Sequence, residues 1–266
     1  MIPVKPDPTW KGPASCCSCG MRDQSLFADL DDQDFALIRA PIDAVTLKAG
    51  EVLYAEGANA LGVFTLREGL IKLVRVTHDG RQRIVRVQRP FDVVGLEALS
   101  TGRYDSTAVA LTDIALCRLP LSVIHHLGVH SPHLHQRLTD KWHDALKQAD
   151  DWLADLNFGS ARQRVAHFIL KMRDRADPAL CTLFSRDDMG AMLDLKLETV
   201  SREVATFTRE GVIEPLDKQG RRYRIVNNRV VSLCRAVCTQ IAIEGGAAAH
   251  KPGPSPAADP QATPGP

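Results

Sequence analysis

The sequence contains no apolar run approaching the roughly 18 residues a membrane-crossing helix needs, so no membrane partner is expected. Its opening residues, Met1-Ile-Pro-Val-Lys-Pro-Asp-Pro8, lack the apolar stretch of a secretory signal, which points to the cytoplasm. Charge of one sign is also missing: 33 Lys and Arg against 32 Asp and Glu leave a net charge of +1, which excludes a polycation or an acidic tail. There is no internal repeat, no phosphate-binding glycine loop, no G-x-S-x-G elbow and no H-E-x-x-H helix, so nothing in the chain points to an enzyme. The seven cysteines are an odd number for a chain of 266 residues, which argues for reduced thiols or metal ligands over a disulfide framework.

What is present is a soluble balance of 44% hydrophobic and 24% charged residues. Charge is distributed unevenly. Residues 159–229 hold 14 Lys and Arg against 10 Asp and Glu, a net of +4, and the rest carries a net of −3. A C-terminal part more basic than its partner suggests a polyanion. Residues 1–24 form a Pro-rich, cysteine-containing segment expected to be flexible, and residues 245–266, with six Pro and six Ala, are expected to be a disordered tail.

Between Val45 and Leu119 the texture is β. Stretches such as Gly62-Val-Phe-Thr-Leu66 and Leu70-Ile-Lys-Leu-Val-Arg-Val76 alternate with turns at Gly50, Gly57, Gly69 and Asp79-Gly80, and seven of the 18 glycines fall in this part. Short strands with regular turns predict an antiparallel roll, assigned to residues 25–120. Residues 133–158 contain no Gly or Pro, and Leu134, Leu138, Trp142, Leu146, Ala149, Leu153 and Leu156 recur at spacings of three and four. That stripe predicts one long amphipathic helix, and residues 121–158 are assigned to a dimer seam. Shorter helices follow over residues 161–173, from Ser185, whose Ser185-Arg-Asp-Asp188 resembles a capping box, and over residues 198–210. A strand-turn-strand around Lys218-Gln-Gly220 and a short helix over residues 230–243 close the C-terminal part, residues 159–240.

Within it, Asp188 to Gly211 reads as helix, tight turn, helix, stop. Met192, Leu193, Leu195, Val200, Val204 and Phe207 supply contacts between the helices. Glu198, Ser201 and Arg202 share the other face of the second helix, because spacings of three and four bring side chains together. Arg binds guanine edges bidentately, a carboxylate accepts from cytosine, and Ser bonds either a base or a phosphate. The trio suits the start of a recognition helix, although a surface helix with a Glu–Arg pair would look the same. Arg221, Arg222 and Arg224 beside the Gln219-Gly220 turn suit phosphate contacts, which position a protein without reading sequence.

The order of roll, long helix and winged helix-turn-helix resembles the CRP/FNR family of bacterial transcription regulators over roughly residues 16–240. Leu197-Glu-Thr-Val-Ser-Arg202, followed by Phe207 and Arg209-Glu-Gly211, is similar to that family's E-T-x-S-R recognition helix. The resemblance implies an α+β fold: an antiparallel β-roll like a cyclic-nucleotide-binding jelly roll, a long dimerisation helix and a C-terminal winged helix-turn-helix. It implies a homodimer on a palindromic double-stranded site with half-sites resembling TTGAT or TGTGA, read by Glu198, Ser201 and Arg202 with Thr199, Lys196, Arg221 and Arg222 beside them. RNA polymerase is the implied protein partner. Lys196 departs from the family, whose members often place Thr or Ser at that helix N-cap.

For the signal, the resemblance offers three options. Cyclic nucleotide binders carry G-E-x-[AG]-L followed by R-[ST]-A. Here Gly95-Leu-Glu-Ala-Leu99 keeps part of the cassette, but Tyr104-Asp105 precedes Ser106-Thr107 where the phosphate-binding arginine belongs, which argues against a cyclic nucleotide unless Arg103 rescues it. An iron–sulfur cluster would use Cys16, Cys19 and Cys117; because Ser25 stands at the remaining family position, Cys17, an aspartate such as Asp23 or an external ligand would have to complete the set. The same cysteines also fit a thiol pair and a small buried hydrophobe, and a thiol or iron–sulfur oxidoreductase without sequence-specific DNA binding is the alternative function. Haem or zinc at the histidines between His125 and His143 is the third option. His126 and His130 are four apart, but Gly128 is expected to interrupt a helix there.

Overall fold

The computed structural model describes residues 26–36, 38, 42–174, 177–227, 230–232 and 234. The expected cysteine-bearing segment (Cys16, Cys17 and Cys19 included), most of the helix expected over residues 230–243, and the Pro/Ala-rich tail lie outside these residues.

A short helix α1 (Asp32–Ala36) leads into eight strands: β1 (Asp43–Leu47), β2 (Val52–Tyr54), β3 (Gly62–Glu68), β4 (Ile71–Val76), β5 (Gln82–Gln88), β6 (Val93–Val94), β7 (Thr107–Ala110) and β8 (Ile114–Pro120), with a helical turn α2 (Ala98–Thr101) after β6. They form two antiparallel four-stranded sheets, ordered β1-β8-β3-β6 and β2-β7-β4-β5. Val45, Phe64, Leu66, Ile71, Leu73, Ala108 and Leu116 share one buried apolar cluster drawn from both sheets. This is the expected roll. Strand β7 alternates half-buried and buried residues, β3 is buried along its first five residues, and Gly50, Gly57, Gly69 and Gly80 hold positive φ at the turns.

Helices α3 (Leu121–His130) and α4 (Pro132–Leu156) follow. Gly128 does not interrupt α3, contrary to the sequence expectation. A single helical glycine costs only about 1 kcal/mol, and Val123, Ile124 and Leu127 of the same helix are buried. Pro132 stands at the start of α4, where it is tolerated, and the Ser131 hydroxyl accepts from the Leu134 amide at 3.2 Å.

The long stripe is divided among three surroundings. Leu134 packs in a cluster with Leu26, Phe27, Leu30, Val123 and Leu127, while Trp152 and Leu156 belong to the C-terminal core. Between these ends Trp142, Leu146 and Leu153 are 42%, 63% and 57% exposed.

The C-terminal part holds α5 (Ala161–Lys171), β9 (Leu180–Thr182), α6 (Arg186–Leu193), α7 (Leu197–Arg209), β10 (Ile213–Pro215) and β11 (Arg222–Ile225), the strands pairing in the order β10-β11-β9. Val165, Phe168, Ile169, Met189, Leu193, Val200, Val204 and Phe207 make its core, and Val74, Ile84 and Val87 of the roll join the same cluster. The roll and the C-terminal part therefore share buried apolar surface.

Candidate nucleic-acid interface

Helices α6 and α7 form the expected helix-turn-helix. The Ser185 hydroxyl caps α6 by accepting from the Asp188 amide at 3.1 Å. At the other end Asp194 takes a left-handed conformation (φ 53°, ψ 49°) and the Leu195 amide donates to the Gly190 carbonyl, so the chain reverses in one residue. Gly190 is required there: a Cβ would lie 2.7 Å from the Leu195 carbonyl oxygen. Arg164 on α5 donates to the Leu193 carbonyl at 2.9 Å, satisfying a carbonyl at the end of α6.

Helix α7 buries Val200, Val204 and Phe207. Glu198 and Arg202 are exposed and Ser201 and Thr199 half-exposed. Among the described residues no hydrogen bond or ion pair engages the side chains of Glu198, Ser201 or Arg202, so three groups suited to base edges stand together on one face of a helix anchored on the other. Lys196 sits at the N-cap with extended backbone (φ −69°, ψ 146°) and makes no side-chain cap. The helix start is left open, with Glu198 alone complementing its dipole.

Strands β10 and β11 are the wing. The Asp217 carboxylate accepts from the amides of Arg221 (3.0 Å) and Arg222 (2.9 Å), which fixes the tip. Those backbone hydrogen bonds, the Arg221 amide foremost, hold the Asp217 carboxyl below its usual range. Strand alternation turns Tyr223 inward, where its hydroxyl meets the Arg186 guanidinium at 2.8 Å, and leaves Arg222 and Arg224 exposed on one side. Arg221 is exposed at the tip. Wing and reading helix thus belong to one packed body. Sequence reasoning missed β9, whose three residues carry no periodic signal, and the capping box of α5, where Ser160 and Gln163 satisfy each other's backbone. The Ser-x-x-Gln spacing was its signal.

In the roll the nucleotide cassette is rebuilt. Tyr104 is buried, stacks on Tyr54 with centroids 3.7 Å apart, and donates to the Gly62 carbonyl at 2.7 Å. Gly95 makes room for that ring, since a Cβ would stand 2.9 Å from it. The Arg103 guanidinium donates to the Gly57 carbonyl at 2.8 Å and Asp105 is exposed, so neither supplies an inward phosphate donor. Cys117 lies on β8, half-buried against the cluster of Leu26, Leu119 and Leu127. The His126 and His130 rings do lie close on α3, with centroids 4.6 Å apart and planes tilted by 41°, yet no third metal-capable group joins them among the described residues. Asp31, Asp34 and His133 do come together. Asp31 accepts from the amides of Gln33 and Asp34 as the cap of α1, and Asp34 meets the His133 ring at 3.1 Å.

A roll joined to a winged helix-turn-helix with an unobstructed reading face defines a DNA-binding transcription regulator. The family description "Cyclic nucleotide-binding domain" matches residues 44–128, and "Crp-like helix-turn-helix domain" matches residues 163–229. The chain belongs to the CRP/FNR family of transcription regulators. It is 29% identical over 223 residues to the transcriptional activator protein FnrL of Cereibacter sphaeroides, covering 80% of this chain and 88% of that protein. It is 27% identical over 204 residues to the nitrogen fixation regulation protein FixK of Bradyrhizobium diazoefficiens, covering 74% and 85%. The solved structure of FixK2 from Bradyrhizobium japonicum superimposes with a TM-score of 0.65 at 26% identity, covering 73% of this chain and 98% of that one. None of these relatives is an oxidoreductase by name, which leaves the alternative of a redox protein without DNA binding unsupported.

Proposed function

We propose that this regulator acts in the cytoplasm as a homodimer that reads a palindromic duplex and recruits RNA polymerase, without catalysing a reaction. The observation that carries the reading is the trio Glu198, Ser201 and Arg202 on the open face of α7, without side-chain partners among the described residues. Arg202 and Glu198 take base edges, Ser201 takes a base or phosphate, Thr199 and Lys196 flank them, and Arg221 and Arg222 on the wing hold phosphates. The dimer seam is the middle of α4, where Trp142, Leu146 and Leu153 stay exposed on a 25-residue helix whose ends are packed. Three large apolar side chains at helical spacing suit a second copy of the same helix. In this assignment residues 25–120 sense the signal, residues 121–158 dimerise and residues 159–240 bind DNA. An effector or redox event in the roll then changes the spacing of the two reading helices, which must stand about 34 Å apart to enter successive major grooves.

The test compares Arg202→Ala with the wild type on a palindromic duplex and on single-base variants of it. Loss of a bidentate base contact removes about 1–3 kcal/mol of discrimination, so the variant should bind the variants nearly as well as the palindrome. Unchanged preference would contradict the assignment.

A further inference from the structure

The sensory roll holds the reading head at two points. Lys72 on β4 pairs with Asp188 in the first turn of α6, and Arg83 on β5 pairs with Asp194 at the turn between α6 and α7. Both side chains of the first pair are only 20% exposed; those of the second are 32% and 63% exposed. Asp194 follows Asp188 by six positions, about 9 Å along the helix axis. Val74 and Ile84 of the hairpin join the buried cluster of Met189, Met192 and Leu193, and beside that contact a cleft of 580 Å³ opens, lined by Lys72, Arg83, Asp188, Asp194 and Lys196 among others.

We propose that Lys72 and Arg83 are positioning residues for DNA reading, which pin α6 at both ends to the β4–β5 hairpin and so fix the orientation of α7 relative to the roll. The shared apolar contact is non-directional, and the two pairs add fixed anchor points at either end of α6. The link from α4 to α5 is the exposed stretch Asn157-Phe158-Gly159-Ser160, with Gly159 at φ +86°, so restraint comes from packing, in which Trp152 and Leu156 of α4 and Val74, Ile84 and Val87 of the roll join the core of the head. The orientation passes on to the reading face because α6 and α7 share the buried residues Met192, Leu193, Val200 and Val204. With the pins closed, Glu198 and Arg202 remain exposed, so the pinned arrangement is one that presents the head to DNA. The β4–β5 hairpin, and not the long helix alone, is then a mechanical route from the roll to the head.

This inference rests on the dimeric reading above, since orientation relative to the roll matters when two heads must engage one duplex. The experiment compares the full chain, Lys72→Gln/Arg83→Gln and the charge-keeping Lys72→Arg/Arg83→Lys on a palindromic duplex and on an isolated half-site, and records X-ray scattering of each protein without DNA. The glutamine variant should lose about tenfold in affinity for the palindrome and less than twofold for the half-site, with an expanded distance distribution in scattering. The charge-keeping variant should stay within twofold of the wild type throughout. Equal loss on both duplexes, or an unchanged scattering curve, would overturn the proposal. A wild type that prefers the palindrome no more than the half-site would instead defeat the dimeric reading, and the scattering comparison would still decide whether the pins hold the head.

Discussion

Replacing Lys196 by Ser sets two effects of one residue against each other. Helices α4, α5 and α6 each begin with a serine whose hydroxyl accepts a backbone amide: Leu134 at 3.2 Å, Gln163 at 3.3 Å and Asp188 at 3.1 Å. Helix α7 begins with Lys196, whose backbone is already extended as a cap requires but whose side chain makes no cap. A serine there needs no backbone change and should add about 1 kcal/mol. The roll and the head share one apolar cluster, so they should unfold as one unit of about 200 residues, for which 1 kcal/mol raises Tm by about 2–4 °C. The lysine, however, stands beside the reading trio. If it meets a phosphate, its loss from both protomers lowers the slope of log affinity against log salt by about 0.9 each, or about 1.8 in the dimer. Lys196→Ala separates the two effects, because it removes the charge without adding a cap. Thermal melts and salt-dependent anisotropy titrations of the three proteins should show Ser melting above both Lys and Ala, with Ser and Ala equally weakened on DNA. A serine variant melting no higher than alanine would refute the capping argument. Wild-type salt slopes in both variants would refute the phosphate contact.

Further outcomes follow from the same structure. Leu146→Asp with Leu153→Asp puts charge on the exposed middle of α4 and should shift the protein from dimer to monomer in sedimentation while leaving the far-UV circular dichroism unchanged. The His133–Asp34 contact should depend on pH. The hydrogen bond that His133 donates to the Asp34 carboxylate raises the His133 pKa above 6.5. Burial, which alone would raise Asp34, is outweighed by hydrogen bonds led by that from His133, so its carboxyl titrates below 3.8. The contact is therefore fully present between the ordinary Asp and His values, fades as pH rises through the raised His133 pKa, and fades again in acid below the lowered Asp34 pKa. His133→Gln should remove the upper transition from a pH series of amide exchange in α1. Burial pushes the thiols of Cys181 and Cys234 up to about 12, so neither should alkylate in the folded protein at pH 8, and both should do so in denaturant, as mass spectrometry of the labelled peptides will show.

The reading helix was the most legible part of the chain, because its signal is local. A buried Val200, Val204, Phe207 row and an open Glu198, Ser201, Arg202 row are both written at helical spacing. The lysine at its N-cap was legible for the same reason. The stripe on α4 was legible as a helix but not as three environments: whether Leu134 is covered by the roll or Leu153 is left exposed depends on elements far away in sequence. Gly128 misled because local propensity is worth about 1 kcal/mol, less than the burial of Val123, Ile124 and Leu127, each worth about 1.5–3 kcal/mol. The Lys72–Asp188 and Arg83–Asp194 pairs join residues 116 and 111 positions apart, and no periodicity marks them. The substitution at Tyr104 was visible, but its consequence, a ring stacked on Tyr54 over a glycine that must lack a side chain, needed the fold.

The central claim is best tested by selecting bound sequences from a randomised duplex pool and footprinting the protein on the winner. The account predicts a two-fold palindrome whose half-site centres lie one helical turn apart, about 10–10.5 base pairs, with protection lost when Arg202 is replaced by Ala. Enrichment of a single asymmetric half-site, or of no sequence at all, would contradict it.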